Sequence, residues 1–299
     1  MEKVFTAVSD KEGYIPVKGG NIWYKVCGAD KDGVPLLIIH GGPGAPHDYL
    51  ETLESLASER PVIFYDQLGC GNSDRPSDTS LWTLERFVDE LETVRNTLAP
   101  GRVHLLGQSW GSMLAVEYMI AKKPREIVSL IMSGPAIDAQ RFASDAAGYL
   151  HELPDEMQAA ISECDSSGDY SRPEYQNAVM EFYKKHLCML DVWPECMDRT
   201  FRKFGQESYE YMWGPSEFRV TGVLSGFDRT GSLHELNVPV LYTCGRYDEA
   251  TPAATMYYSG LTPGSQFYIF EGASHQHHLE KPEEYLKVTG EFLKSRESR

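Results

Sequence analysis

Residues 103–122 read VHLLGQSWGSMLAVEYMIAK. The apolar run Val103 to Leu106 has the length of a buried strand and stops at Gly107. From Ser112 to Lys122 the apolar residues fall at helical spacing. Between them lies Gly107-Gln108-Ser109-Trp110-Gly111, a G-x-S-x-G pentapeptide. A strand that turns directly into a helix needs a sharp corner. Glycines on either side remove the side chains that would collide there, and the corner lifts the serine above the sheet at a helix start. The pentapeptide alone is a weak signal, and its position between strand and helix gives it weight.

Working outward, the same texture recurs. Tyr14 to Val26 reads as two short strands around the turn Lys18-Gly19-Gly20-Asn21. Val34 to Ile39 is a compact apolar run closed by His40-Gly41-Gly42-Pro43-Gly44, and Pro61 to Tyr65 is closed by Asp66-Gln67-Leu68-Gly69-Cys70-Gly71. Thr83 to Leu98 predicts a helix and Val128 to Met132 a strand. Strands alternating with helices predict an α/β fold, a mostly parallel sheet with helices on both faces. Ligand sites in such sheets lie beyond the carboxyl ends of the strands. Every glycine-rich loop named so far falls there.

After Pro135 the pattern changes. Residues 139–228 are rich in Tyr, Met, Glu and Asp at helical spacing and are punctuated by Pro154, Pro173, Pro194 and Pro215. Val238 to Cys244 and Gln266 to Phe270 resume the strand pattern, and Pro282 to Ser295 predicts a closing helix. The expected division is a core of residues 1–138 and 229–299, with 139–228 as an inserted helical cap.

A serine hydroxyl is a poor nucleophile without a base within hydrogen-bond reach. Two later strand ends supply candidates in the order this geometry uses, acid and then base. Val240 to Cys244 leads into Gly245-Arg246-Tyr247-Asp248, and Phe267 to Phe270 into Glu271-Gly272-Ala273-Ser274-His275. The expected triad is therefore Ser109, Asp248 and His275. Asp228 is a rival acid but precedes the strand. His277 and His278, close to His275, raise a metal cluster, although no acidic ligand set accompanies them. His40 reads as a loop-shaping residue and His104 as a core histidine. For the oxyanion hole, Trp110 N–H and the loop 40–44 are the expected donors, with Gly41 ahead of Gly42. That loop lacks the lysine a phosphate-binding P-loop requires.

Length and composition bound the remaining options. The chain has 299 residues, 41% hydrophobic and 24% charged, with a formal net charge of −16. Such a charge repels phosphate backbones and anionic headgroups, so neither nucleic acid nor a membrane is an expected partner. No apolar stretch reaches membrane-spanning length, and MEKVFTAVSDKEGY lacks the pattern of an export signal. Cys27, Cys70, Cys164, Cys188, Cys196 and Cys244 are scattered, which predicts reduced thiols and a cytoplasmic protein.

These motifs together resemble the proline iminopeptidase family of α/β hydrolases, especially the branch with the archaeal tricorn-interacting aminopeptidase. The resemblance runs from about Tyr14 to the last helix. It rests on HGGPGAPHDYL at 40–50, FYDQLGCGNSD at 64–74, GQSWG at 107–111, GPSEF at 214–218, GRYDEATP at 245–252 and ASHQHHLEKPEEY at 273–285. It implies an α/β-hydrolase fold with a cap after the sixth strand. It also implies a serine aminopeptidase, prolyl aminopeptidase-like, that releases an N-terminal residue, often proline, from short peptides, amides or arylamides. It carries Ser109, Asp248 and His275 as triad, Gly41 and Trp110 as oxyanion donors, and Glu217 and Glu249 as holders of the substrate's free amino group. Two carboxylates in a closed cleft suit an ammonium one residue from the scissile bond. Their alternative reading is as solvated surface charges. No metal or organic cofactor is expected, the partner is a short peptide or aminoacyl amide, and a monomer is the favoured state. An amino-acid amidase or small-molecule esterase shares this triad, and a non-catalytic ligand-binding protein shares the fold.

Overall fold

The computed structural model describes residues 9–297. The N-terminal stretch read for an export signal lies largely outside them. The eight strands are β1 (Ser9–Val17), β2 (Gly20–Cys27), β3 (Leu36–Ile39), β4 (Val62–Tyr65), β5 (Val103–Gln108), β6 (Ile127–Ser133), β7 (Val240–Gly245) and β8 (Gln266–Phe270). They form one sheet in the order β1-β2-β4-β3-β5-β6-β7-β8. β1 and β2 pair antiparallel, as do β2 and β4, while every pair from β4 to β8 is parallel.

Side chains of a strand alternate between faces, and here both faces are apolar. Leu37, Ile39, Ile63, Tyr65, Leu105 and Leu130 join one core cluster; Leu36, Ile38, Val62, Phe64, Leu106 and Ile131 join the other. α1 (Leu84–Leu98), α2 (Trp110–Lys122) and α8 (Pro252–Leu261) cover the first face. α9 (His277–Glu280), α10 (Pro282–Glu297) and a 3₁₀ stretch, His47–Ser58, cover the second. Each fully buried Leu or Ile contributes about 1.5–3 kcal/mol by leaving water, so two such layers hold the strand ends in fixed positions.

Three covering elements escape the sequence reading: the 3₁₀ stretch, α8 and α9. In the 3₁₀ stretch, Leu50, Leu53 and Leu56 repeat every third residue, the spacing that eclipses side chains in a 3₁₀ helix. α8 opens with Pro252 after an N-cap, Thr251, whose hydroxyl accepts from Ala254 N–H at 3.2 Å.

Between β6 and β7 the chain is helical: α3 (Ala139–Gly148), α4 (Asp155–Ser167), α5 (Pro173–His186), α6 (Glu195–Arg202) and α7 (Gln206–Met212). The prolines mark starts, with Pro154 and Pro194 at N-caps and Pro173 as the first residue of α5. At the neck, Asp138 and Asp228 pair in an isolated antiparallel bridge. Ala139 N–H donates to Phe227 O at 3.0 Å and Arg229 N–H to Ile137 O at 3.1 Å. The segment carries a small core of its own, with Ile161, Cys164, Tyr175, Phe182 and Phe218 buried together. All six cysteines are buried, and none is in a disulfide among the described residues. Among the described residues no helix is long and apolar enough to cross a membrane.

Candidate active site

The corner at Ser109 is tighter than its sequence suggests. β5 runs to Gln108 and α2 starts at Trp110, so one residue makes the turn. Ser109 has φ 54° and ψ −121°, a conformation that costs about 1–3 kcal/mol for a residue with a Cβ. The surroundings hold it there. Ser109 N–H donates to Ser133 O at 2.9 Å and Ser112 N–H to Ser109 O at 2.8 Å. A Cβ on Gly107 would lie 2.4 Å from Gly111 O, and one on Gly111 2.0 Å from Ile39 O. Both glycines are therefore required for close packing.

Asp248 and His275 follow β7 and β8, and the sheet brings them together. The buried Asp248 carboxylate accepts from Ala250 N–H at 2.7 Å and Gly245 N–H at 3.2 Å. His275 Nδ1 lies 2.7 Å from Asp248 Oδ1, so Nδ1–H donates and Nε2 keeps a lone pair. Burial pulls the imidazole pKa down, but the charge and hydrogen bond of Asp248 outweigh it, and the net shift is upward. Gly134, at φ 54°, leaves room for the ring: a Cβ there would sit 2.7 Å from Nδ1. The helical segment grips the same loop, with His275 N–H on His186 O at 3.1 Å and Gln276 N–H on Leu187 O at 2.8 Å.

The Nε2 lone pair points at Gln108 Nε2, 2.9 Å away, and Ser109 Oγ makes no hydrogen bond among the described residues. Gln108 Oε1 in turn accepts the Tyr49 hydroxyl at 2.6 Å, and Tyr49 Oη accepts Gly41 N–H at 2.7 Å. Gly41 stands beside the serine, since a Cβ on it would lie 3.2 Å from Ser109 Cβ. Its N–H, the first expected oxyanion donor, is thus held by Tyr49. Gly42, at φ 105°, lines the cavity. Trp110 N–H begins α2 and has no acceptor within the helix. The Trp110 indole donates to Gln67 Oε1 at 2.9 Å, and Gln67 N–H donates to His40 Nε2 at 2.9 Å. His40 braces the loop, as its sequence position suggested.

Glu217 and Glu249 reach the same cavity, about 280 Å³, as Ser109 and His275. Val179, Tyr183, Met197, Phe201, Phe204 and Tyr209 complete an apolar wall from the helical segment. Glu217 Oε1 accepts the Tyr209 hydroxyl at 2.7 Å. Burial raises the Glu217 pKa, and the Tyr209 bond and His275 only partly offset it. Glu249 is 1% exposed, its Oε2 has no hydrogen-bond partner among the described residues, and its Oε1 lies 3.7 Å from His275 Nε2. Burial, then the charges of Glu217 and Asp248, raise its pKa well above the usual carboxylate range. Neither glutamate is a solvated surface charge.

The rivals have other employment. Asp228 Oδ1 accepts Thr230 N–H and Oγ1, both at 2.7 Å. His277 Nε2 lies 2.9 Å from Ser133 Oγ, and His278 Nε2 3.0 Å from Tyr49 O. His104 is buried in β5 with Nδ1 2.7 Å from Ser129 Oγ. Sequence reasoning missed Gln108, Tyr49 and Tyr209 as site residues. The first two stood inside quoted motifs, GQSWG and HGGPGAPHDYL, without a stated role.

A strand-to-helix serine, a carboxylate-bound imidazole and a cavity that both line define a serine hydrolase of the α/β-hydrolase fold. Residues 34–282 match the family model described as alpha/beta hydrolase fold. The chain is 45% identical over 285 residues to a proline iminopeptidase of Heyndrickxia coagulans, covering 95% of this chain and 99% of that one. It is 37% identical over 290 residues to a proline iminopeptidase of Saccharolobus solfataricus, covering 96% and 93%. The crystal structure of the Mycobacterium smegmatis proline iminopeptidase superposes with a TM-score of 0.86 at 34% identity, covering 96% of this chain and 99% of that one. The chain belongs to the proline iminopeptidase family of α/β hydrolases and is a serine aminopeptidase.

Proposed function

We propose that the protein releases the N-terminal residue, proline included, from short peptides, aminoacyl amides and arylamides through an acyl-enzyme on Ser109. The observation that carries this reading is the placing of two carboxylates, half-buried Glu217 and buried Glu249, in one cavity with Ser109 and His275. An esterase or amidase for neutral substrates has no use for that charge. With no cation between them, burial and mutual repulsion keep a proton on the pair. A substrate ammonium displaces that proton and gains charge-assisted hydrogen bonds. An N-terminally extended substrate has no cation to offer.

Residues 139–228 act as the cap that excludes water from this cavity, and their apolar wall faces the serine. His275 Nε2 takes the proton of Ser109, whose oxygen attacks the carbonyl carbon. The oxyanion rests on the N–H groups of Trp110 and Gly41, with Gly42 the alternative, each donor worth about 2.7–4 kcal/mol. His275 gives its proton to the leaving amine, and a water activated by the same imidazole releases the acid. Asp248 holds the tautomer that makes this possible. Each step uses side chains and backbone of the chain itself. Six buried thiols outside any disulfide support a reducing, cytoplasmic setting, and the net charge of −16 supports small substrates over nucleic acid.

The test compares a prolyl arylamide with its N-acetylated form. The free amine is hydrolysed and the acetylated one is refused; equal kcat/KM for both removes the amino-group site.

A further inference from the structure

Four hydrogen bonds run in series across the site. Gly41 N–H donates to Tyr49 Oη at 2.7 Å, and Tyr49 O–H to Gln108 Oε1 at 2.6 Å. Gln108 Nε2–H donates to His275 Nε2 at 2.9 Å, and His275 Nδ1–H to Asp248 Oδ1 at 2.7 Å. The donor sense is forced throughout. A backbone N–H only donates, so Tyr49 Oη accepts and spends its own proton on Gln108. The amide oxygen is therefore taken, and the NH₂ must face the imidazole. Asp248 takes Nδ1–H, so Nε2 can only accept. Tyr49 is 2% exposed, Gln108 2% and His275 2%, so these links are shielded from water. Two members of the series are things the reaction needs free: the Gly41 N–H at its start, an oxyanion donor, and the His275 Nε2 lone pair within it.

We infer that Gln108 is a positioning residue that occupies the His275 Nε2 lone pair in the resting site and releases it to Ser109 when a substrate carbonyl oxygen takes Gly41 N–H from Tyr49. This rests on the triad and oxyanion assignments above and deepens them. Carbonyl binding and base release become one event. A Tyr49 hydroxyl that loses its Gly41 donor is no longer pinned, and the amide it held turns away from the imidazole. The Ser109 hydroxyl, which makes no hydrogen bond among the described residues in the resting site, then gains the base only when an acyl carbon is in place.

The free enzyme and the substrate complex therefore differ in what touches Nε2, and pH profiles separate them. The profile of kcat/KM reports the free enzyme, that of kcat the complex. An amide donor on Nε2 favours neutral His275. Gln108→Ala admits water, which can accept from the imidazolium. Tyr49→Phe frees the amide to flip its oxygen toward it. Both changes favour protonated His275 in the free enzyme only. The other titratable groups around the ring are Asp248, Glu249, Glu217, Glu280, His277 and His278, and neither substitution alters them.

The experiment measures both profiles on one prolyl arylamide for wild type, Gln108→Ala, Tyr49→Phe and the double variant, with thermal melts to confirm folding. The acid limb of kcat/KM moves to higher pH by about 0.5–1 unit in Gln108→Ala, the size of one neutral hydrogen bond. It moves the same way in Tyr49→Phe, and the double variant moves no further than Gln108→Ala alone. The kcat limb stays in place. Equal movement of both limbs, or of neither, overturns the proposal, as does additivity in the double variant. If Gln108→Ala fails to fold, the two limbs of Tyr49→Phe alone decide between the same outcomes. Failure here leaves the triad standing, because labelling of Ser109 by a fluorophosphonate tests that separately.

Discussion

Glu249 Oε1 sits 3.7 Å from His275 Nε2, closer to the base than a substrate residue is long. Neighbours in sequence thus do two jobs in one place: Asp248 binds one edge of the imidazole, and Glu249 faces the other across the cavity. The amine of an N-terminal residue and its carbonyl carbon are two bonds apart through Cα. The proposed cation site, this near the base, would admit the first residue of a chain and nothing before it.

Replacing either carboxylate therefore weakens binding more than chemistry. Glu249→Gln and Glu217→Gln each remove about 1.5–3 kcal/mol of charge-assisted hydrogen bonding, roughly 10- to 150-fold. Steady-state kinetics on an aminoacyl arylamide should show that loss mainly in KM. A loss confined to kcat would assign the glutamates to the chemical step.

The pH profile carries a second sign. The folded pKa of His275 is raised, so the neutral base is present above that value and is lost as pH falls through it. Glu217 and Glu249 are raised as well, so their anionic forms are also lost earlier on acidification than ordinary carboxylates are. All three push the same way. The acid limb of kcat/KM should lie above about pH 6.5, the usual imidazole value, and be steeper than one ionisation. A single ionisation near the usual carboxylate pKa would contradict it.

The choice of acid is tested by a pair of substitutions. Asp248→Asn keeps the shape but not the acceptor that fixes the Nδ1–H tautomer, and kcat should fall about 10⁴-fold, as for triad aspartates generally. Asp228→Asn alters only a turn beside Thr230 and should leave kcat near wild type.

Gly111→Ala tests the corner itself. The added Cβ would meet the backbone oxygen of Ile39 at 2.0 Å, with no flexible side chain to yield. Overpacking of this kind costs about 1–3 kcal/mol or more. Thermal unfolding should show a lowered Tm together with lost turnover.

Ser109, Asp248 and His275 were legible in the sequence because each follows a short apolar run with a glycine nearby, and strand ends in a parallel sheet converge. The α/β order was legible for the same reason. The 3₁₀ stretch His47–Ser58 was not, since its every-third-residue leucines match neither strand nor α-helix. Glu217 carries no local signal at all: without a resemblance over GPSEF it reads as one acid among many. Gln108 and Tyr49 are 59 residues apart, and only the folded sheet edge brings their side chains together. The occupied Gly41 N–H is hidden for the same reason, since a donor in a glycine loop looks free until its partner is seen.

The most direct measurement is turnover of a prolyl arylamide by Ser109→Ala, with circular dichroism and a thermal melt to show the fold intact. Loss of the nucleophile should lower kcat by about 10⁴-fold or more. Retention of even about a tenth of wild-type turnover in a folded variant would contradict the account, because catalysis would then not depend on the hydroxyl that His275 serves.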